Sequence, residues 1–342
     1  MTGEETRTGA VRARQMIFGA LLSQAVCTAA ELGLSDLLAD GPLPAEVLAA
    51  RSGVDDRRLA QLLRCLAAFD VYHARPDGCW ELAAVGQALR ADVAGSARPT
   101  ALLAAGSVGA AWRGMGTTVR TGRPAYDEHV GESFFDHLGR DPALRAVFDS
   151  SQFHDQHLEI DQVLAAVETT GPRRVVDVGG GDGALLERLL QARPELTGVL
   201  LDVAPTAARA RVRLARAGLG DRATVVDGDF FVDVPAGGDL YLLRQILHDW
   251  DDTRCVALLR TCREAMPASA RLVVVERVVE EGGTAPDAQF AALMDLYMMS
   301  VLGGAERSVP QFTTLLAEAG FEVRAVRRLA TAVAVIEAGP AG

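Results

Sequence analysis

The stretch Arg173-Arg174-Val175-Val176-Asp177-Val178-Gly179-Gly180-Gly181-Asp182-Gly183 constrains this chain more than any other. A short apolar run enters a glycine turn, and Ala184, Leu185, Leu186, Leu189 and Leu190 follow at helical spacing. A strand, a glycine loop and a helix N-terminus form a natural ligand cradle. Glycine takes positive φ and lets the backbone approach a ligand closely. The helix start offers N–H groups with no partner in the helix. A single glycine would read as a plain strand-to-helix turn. Four glycines within 179–183, beside Asp177 and Asp182, read as a ligand loop.

The texture around this loop sets the fold. Strands are expected at 173–178, 198–203, 223–227, 239–244 and 271–279, then at 321–328 and 331–337. Helices fill the gaps near 184–193, 205–217, 252–266, 286–302 and 309–319. Such alternation predicts an α/β, doubly wound, seven-stranded sheet of Rossmann-like type whose last strand runs antiparallel.

The N-terminal part reads differently. Residues 11–40 are helical, with an apolar content that suits contact with another chain as well as an internal core. Helices are expected at 44–50 and 55–69, followed by two short strands around Pro76-Asp77-Gly78. That order resembles a winged-helix module. Its second helix carries Asp55, Asp56, Arg57, Arg58 and Arg64, a mixed set rather than a basic stripe, so a dimerisation role is expected over DNA binding. Residues 96–168 look helical, with breaks at Pro99, Gly114/Gly116, 122–124 and Asp141-Pro142. Three parts are expected: a dimerisation domain at 11–95, a helical linker lining a substrate pocket at 96–168, and a catalytic domain at 169–342.

Bulk properties exclude several classes. The net charge is −11 and the chain contains no lysine, which argues against a nucleic-acid surface. No apolar run reaches the ~18 residues of a spanning helix, and no signal core is evident at the N-terminus. The five cysteines include no CxxC pair, so neither a disulfide framework nor a zinc site is expected. They suit reduced thiols in a cytoplasmic protein.

The ligand follows from what the loop lacks. It has neither a full GxGxxG register nor the GKS/GKT of a P-loop. Asp202 ends the next strand about 20 residues on, where a ribose hydroxyl would sit; a helix N-cap before Pro205 is the other reading. Asp229 and Phe230 follow the third strand, where an acid and an aromatic can meet an adenine; a capped turn over core phenylalanines remains open. An adenosine site without phosphate chemistry suggests S-adenosylmethionine.

Val176-Asp177-Val178-Gly179-Gly180-Gly181-Asp182-Gly183, Asp202, Gly228-Asp229-Phe230-Phe231 and Leu247-His248-Asp249-Trp250-Asp251-Asp252 together resemble the small-molecule O-methyltransferases of the plant caffeate and bacterial polyketide type. The resemblance covers nearly the whole chain. It implies a class I methyltransferase using S-adenosylmethionine in secondary metabolism such as antibiotic biosynthesis, and a homodimer formed through the N-terminal region. It implies that Gly179, Gly180 and Gly181 hug the methionine part of the cofactor. Asp202 would take the ribose, Asp229 and Phe230 the adenine, and Arg244 would lie along the cofactor pocket. His248 matches the general base, and Glu276 and Glu306 match the two acids flanking it. Asp249 is a further catalytic candidate, with an N-cap of the 252–266 helix as its other reading.

These roles suit methyl transfer, which needs donor and acceptor aligned and the acceptor's proton removed. A histidine near its ordinary pKa of ~6.5 is often neutral at pH 7 and can accept that proton. A carboxylate on the other ring nitrogen fixes the tautomer. His154 and His157 share a helix face, yet no third ligand lies nearby, so no metal is expected. His154, Phe148, Met294, Tyr297 and Met298 are the acceptor-side candidates, for an aromatic or polyketide-like small molecule. C- or N-methylation, or a cofactor-retaining member without transfer, stays open, as does a winged-helix regulator that senses a ligand.

Overall fold

The computed structural model describes all residues except 1, 2, 168–170, 172 and 330; the side chains of 3–5 and 156–158 are also left undescribed. The chain divides into two compact units. One runs to Arg113 and takes in Phe135–His157; the other comprises Gly114–Phe134 and Leu158 to the C-terminus.

In the first unit a long helix, Gly3–Glu31, precedes helices Ala45–Ser52 and Asp56–Ala67. Asp55 caps the latter, its side chain accepting from Arg58 N–H. A three-stranded antiparallel sheet, β1 (Leu43–Pro44), β2 (Tyr72–Ala74) and β3 (Cys79–Leu82), is ordered β1-β3-β2. The two later strands lie where the sequence places them; β1 is too short to show any period. Leu34, Leu48, Leu59, Leu63, Leu66 and Tyr72 form this unit's core. Met16, Ile17, Phe18 and Leu21 stay exposed on the long helix. The helical stretch from 96 on starts at Arg98–Ala105, where Pro99 opens the helix rather than breaking it. Of the pair Gly114 and Gly116, only Gly114 separates two helices; Gly116 sits inside helix Met115–Thr121.

The second unit holds β4 (Arg174–Val178), β5 (Thr197–Asp202), β6 (Ala223–Asp227), β7 (Leu240–Arg244), β8 (Arg271–Arg277), β9 (Phe321–Arg328) and β10 (Val333–Pro340). Their order is β6-β5-β4-β7-β8-β10-β9. β4 to β8 are parallel, and β10 runs antiparallel to both its neighbours. This is the Rossmann-like doubly wound sheet expected, with the chain order reversing between β5 and β7 at β4.

Side chains alternate between two buried faces, as a sheet covered on both sides requires. Val176, Leu243 and Val274 pack under helices Asp252–Ala265 and Val309–Glu318. Val175, Leu242 and Val275 pack under Ala184–Ala192 and Ala204–Arg216, together with Ile160 and Val163. Helices Met115–Thr121 and Ala125–Val130 lie against helix Pro286–Val301. In open sheets of this topology, ligands bind beyond the C-terminal ends of the strands at the reversal point. Here that point is the end of β4, which feeds the glycine loop.

Candidate active site

The glycine loop is shaped by sterics. Gly179, Gly181 and Gly183 all have positive φ, at 69°, 63° and 84°, a region that costs other residues strain. A Cβ on Gly179 would lie 2.5 Å from Ile246 Cδ1. One on Gly180 would lie 2.6 Å from Asp177 Oδ2 and 2.8 Å from Leu200 Cδ1. Gly179 N–H and Gly180 N–H bond to Leu201 O, which ties the loop to β5. Asp202 Oδ2 accepts from Gly181 N–H at 2.9 Å, and its Oδ1 accepts from Val203 N–H. Val203 holds the N-cap position of the following helix, and no side chain caps it. Asp202 therefore braces the loop from the strand end rather than capping the helix.

Asp182 and Arg213 lock the loop's far side. Arg213 Nη2 and Nε donate to Asp182 Oδ2 at 2.6 and 3.1 Å, while Nη1 reaches Glu187. Beneath the loop, burial pushes the Asp177 carboxyl up to about 7, against the pull of Arg244. Asp177 Oδ2 is buried with no hydrogen-bond partner among the described residues. Phe230 stands beside the loop, its Cε1 3.5 Å from the position a Cβ of residue 179 would take. It meets Phe231 edge-on at 4.9 Å, and Phe231 meets Trp250 in the same way. Asp229 is exposed and accepts from Phe231 N–H, so it forms the local turn the sequence also allowed. Arg244 is almost wholly buried, 3.6 Å from Glu159.

The second half of the site begins two residues after β7. Gln245 takes φ 53°, which turns the chain away from the sheet. Leu247–Asp249 then form a single 3₁₀ turn that presents His248. Ile246, which closes over Gly179, immediately precedes this turn, so the cradle and the histidine are neighbours. Glu276 Oε1 accepts from both Ile246 and Leu247 N–H, at 2.9 and 2.7 Å. His248 Nδ1 lies 3.1 Å from Glu306 Oε1 and 3.8 Å from Glu276 Oε2. On the ring's other side, Nε2 is 3.4 Å from Asp249 Oδ1. Asp251, not Asp249, caps helix 252–265 by accepting from Arg254 N–H. The cap reading of Asp249 is thereby removed, and its carboxylate faces the imidazole.

All three groups at the centre are buried, Glu276 completely. Burial works against the charge of His248, but Glu276, Asp249 and Glu306 outweigh it and push its pKa up to about 10. Burial likewise pushes Glu276 up to about 7 and Asp249 up to about 6, each held back by His248. The expected ordinary histidine near 6.5 is therefore corrected: among these carboxylates the ring holds its proton at neutral pH. His248, Glu276 and Glu306 each offer a ligand-type atom within 4.8 Å of the others. Glu276 Oε1 is taken up by two backbone N–H groups and Glu306 Oε1 by the imidazole.

Sequence reading missed the scaffold of this turn. Arg307 is buried and donates to Leu247 O at 2.9 Å, Trp250 O at 2.7 Å and Asp252 Oδ1 at 2.9 Å. Ala305 N–H bonds to His248 O. A Cβ on Gly304 would fall 2.0 Å from that same oxygen. The signal was present in Gly303-Gly304-Ala305-Glu306-Arg307, whose glycines and arginine frame the glutamate.

The acceptor-side candidates divide between the units. On helix 286–301, Met294 and Tyr297 are half-buried and Met298 is buried. Phe148 and His154 belong to the other unit, where both are half-buried and His154 Nδ1 accepts from Ser96 N–H at 3.1 Å. The side chain of His157, weighed as its metal partner, lies outside the described residues.

With this geometry in place, comparison with known proteins is specific. A family model of the O-methyltransferase domain matches residues 112–322, and one of the O-methyltransferase dimerisation domain matches 14–92. The O-methyltransferase SfmM3 of Streptomyces lavendulae is 43% identical over 95% of this chain and 98% of its own length. The structure of the mitomycin 7-O-methyltransferase MmcR superposes with a TM-score of 0.91 at 34% identity, over 99% of this chain and all of that one. An O-methyltransferase from neocarzinostatin biosynthesis, crystallised with S-adenosylmethionine and 2-hydroxy-5-methyl naphthoic acid, gives 0.82 at 36% identity, over 93% and 96%.

Proposed function

This chain belongs to the O-methyltransferase family and is an S-adenosylmethionine-dependent enzyme of that kind, and from that premise we propose that His248 deprotonates a hydroxyl on an aromatic or polyketide-type acceptor. The observation that carries this reading is the buried imidazole with Glu306 on Nδ1, set beside a loop that has no room for side chains.

The residues present suit the cofactor. A Cβ on Gly179 or Gly180 would run into Ile246, Asp177 or Leu200, Gly181 takes φ 63°, and Asp177 Oδ2 is a buried acceptor with no donor among the described residues. Asp202, Phe230, Asp229 and Arg244 complete the set we assign to binding it. When bound, S-adenosylmethionine supplies a methyl group on a sulfonium for in-line displacement by the acceptor oxygen.

The protein's own work is alignment and proton removal. A proton on Nδ1 donated to Glu306 leaves Nε2 as the basic nitrogen. Glu276 fixes the backbone of the turn and adds negative charge behind the ring. Asp249 flanks Nε2, where the acceptor hydroxyl must come. Because the surrounding carboxylates hold a proton on the ring, one proton must leave this cluster before His248 can accept another. General-base help of this kind is worth roughly 10²–10⁴-fold.

We further assign dimerisation to 11–95, acceptor lining to 96–168 and catalysis to 169–342. The exposed apolar residues Met16, Ile17, Phe18 and Leu21 support a homodimer through the N-terminal helix. Met294, Tyr297 and Met298, with Phe148 and His154, are the residues we propose to meet the acceptor. Among the described residues no helix is long and apolar enough to cross a membrane. The five unbridged cysteines favour the cytoplasm.

The test is product analysis by mass spectrometry, using a methyl-deuterated donor and a panel of phenolic acceptors. Label on an acceptor oxygen is expected. Label on carbon or nitrogen alone, or none, would overturn oxygen as the target.

A further inference from the structure

Behind the strand ends lies a second charged cluster that the base does not use. Glu276 and Arg277 are consecutive at the end of β8, so they point to opposite faces of the sheet. On the face away from His248, Glu159 is shared by two arginines. Arg277 Nη2 lies 3.3 Å from its Oε1 and Arg244 Nη2 3.6 Å from its Oε2. All three side chains are about nine-tenths buried.

Guanidinium groups stay charged in any protein environment. Among the described residues, Arg277 Nε is buried and finds no acceptor. A buried cation with an orphan donor is costly unless an anion meets it.

The position of Arg277 says which anion. Its guanidinium lies 5.0 Å from the centre of the Phe290 ring. Phe290, Met294 and Tyr297 stand at i, i+4 and i+7 on helix 286–301, so they form one stripe. Two of these three already belong to the proposed acceptor lining. Arg277 therefore sits at the end of that stripe, one residue from Glu276 of the base cluster, and Phe290 itself is half exposed.

We propose that Arg277 binds a carboxylate carried by the acceptor, so that the enzyme selects hydroxylated aromatic acids over neutral phenols. The planar fork takes the carboxylate, and the Phe290 ring backs the guanidinium. The acceptor then lies across the end of β8, its hydroxyl toward His248 and its acid toward Arg277. This rests on the methyl-transfer reading above. The other source of the same chemistry is the carboxylate of the cofactor's methionine part.

The experiment pairs 3,4-dihydroxybenzoate with its methyl ester. Binding of each is measured by calorimetry on enzyme loaded with S-adenosylhomocysteine, and turnover is measured with S-adenosylmethionine. The wild type should favour the acid by roughly 10–100-fold, the range one hydrogen bond to a charged group contributes. Arg277→Gln should collapse that preference, its loss falling on the acid, with cofactor affinity within twofold. Arg277→Lys, which keeps the charge without the fork, should restore part of it. No acid preference in the wild type overturns the proposal and leaves methyl transfer standing. Weaker cofactor binding in Arg277→Gln, with both acceptors affected alike, overturns it by assigning the arginine to the cofactor. Arg277-dependent binding of the acid with no methyl transfer to any phenol keeps this site and overturns the methyl-transfer reading instead.

Discussion

The two halves of the site are built on opposite principles. The cradle at 177–183 is local: one strand, one loop and one helix start, closed by Asp202 from the adjacent strand. Its selectivity is steric, a matter of missing side chains. The base cluster is non-local. His248 comes from a turn after β7, Glu276 from the end of β8 and Glu306 from the loop after helix 286–301. Its character is electrostatic, because buried carboxylates raise the ring's proton affinity. Short-range structure suffices to place a donor, whereas a base of tuned strength needs the whole sheet to bring three segments together.

Separate construction implies separate failure. The largest effect is expected on the base side from Arg307→Met. It leaves Leu247 O and Trp250 O short of their main donor, and one unsatisfied buried group costs about 1–3 kcal/mol. We expect a loss of ~3 kcal/mol in urea unfolding together with slower turnover; unchanged unfolding would show that the turn holds without its clamp. On the cradle side, Gly180→Val would drive a side chain into Asp177 and Leu200. Overpacking costs of ~1–3 kcal/mol predict cofactor affinity reduced by roughly 10–100-fold. Calorimetry showing normal affinity would mean that the loop yields and is not a steric cradle.

A smaller change should sharpen the electrostatic side. With His248 raised to about 10, kcat/KM should climb with pH from neutrality toward that value. Glu306→Gln removes one of the charges that raise it, so the rising limb should move to lower pH by about one unit. A profile that stays in place would mean that Glu306 does not tune the base. The smallest effect is expected from Asp251→Ala, which removes the cap of helix 252–265 at ~1 kcal/mol of stability. Asp249→Asn should act conversely, altering turnover and its pH dependence while thermal unfolding stays put. If Asp249→Asn lowered stability as a cap mutation does, its assignment beside Nε2 would be wrong.

The contrast also explains what the sequence could tell. The strands of the large sheet and the helices between them were legible because parallel strands buried on both faces are short continuous apolar runs. The cradle was legible because its glycines are adjacent in the chain. His248, Glu276 and Glu306 came from family resemblance, since no spacing rule links positions that far apart. Physical reading could not foresee the pKa of His248, which depends on the burial of its carboxylates. Arg307 was signalled only by its place after Gly303-Gly304-Ala305-Glu306, since its partners are mostly backbone carbonyls, and the N-cap choice between Asp249 and Asp251 turns on two residues of register. β1 escaped notice because a two-residue strand carries no period.

The central claim is that the cradle binds the donor and His248 does the proton chemistry, each without the other. It is tested most directly by His248→Ala in a single-turnover assay with a phenolic acceptor, alongside calorimetry of S-adenosylmethionine binding. Methyl transfer should slow by roughly 10²–10⁴-fold while cofactor affinity stays within twofold of wild type. Full-rate transfer, or affinity lost in step with the rate, would contradict it.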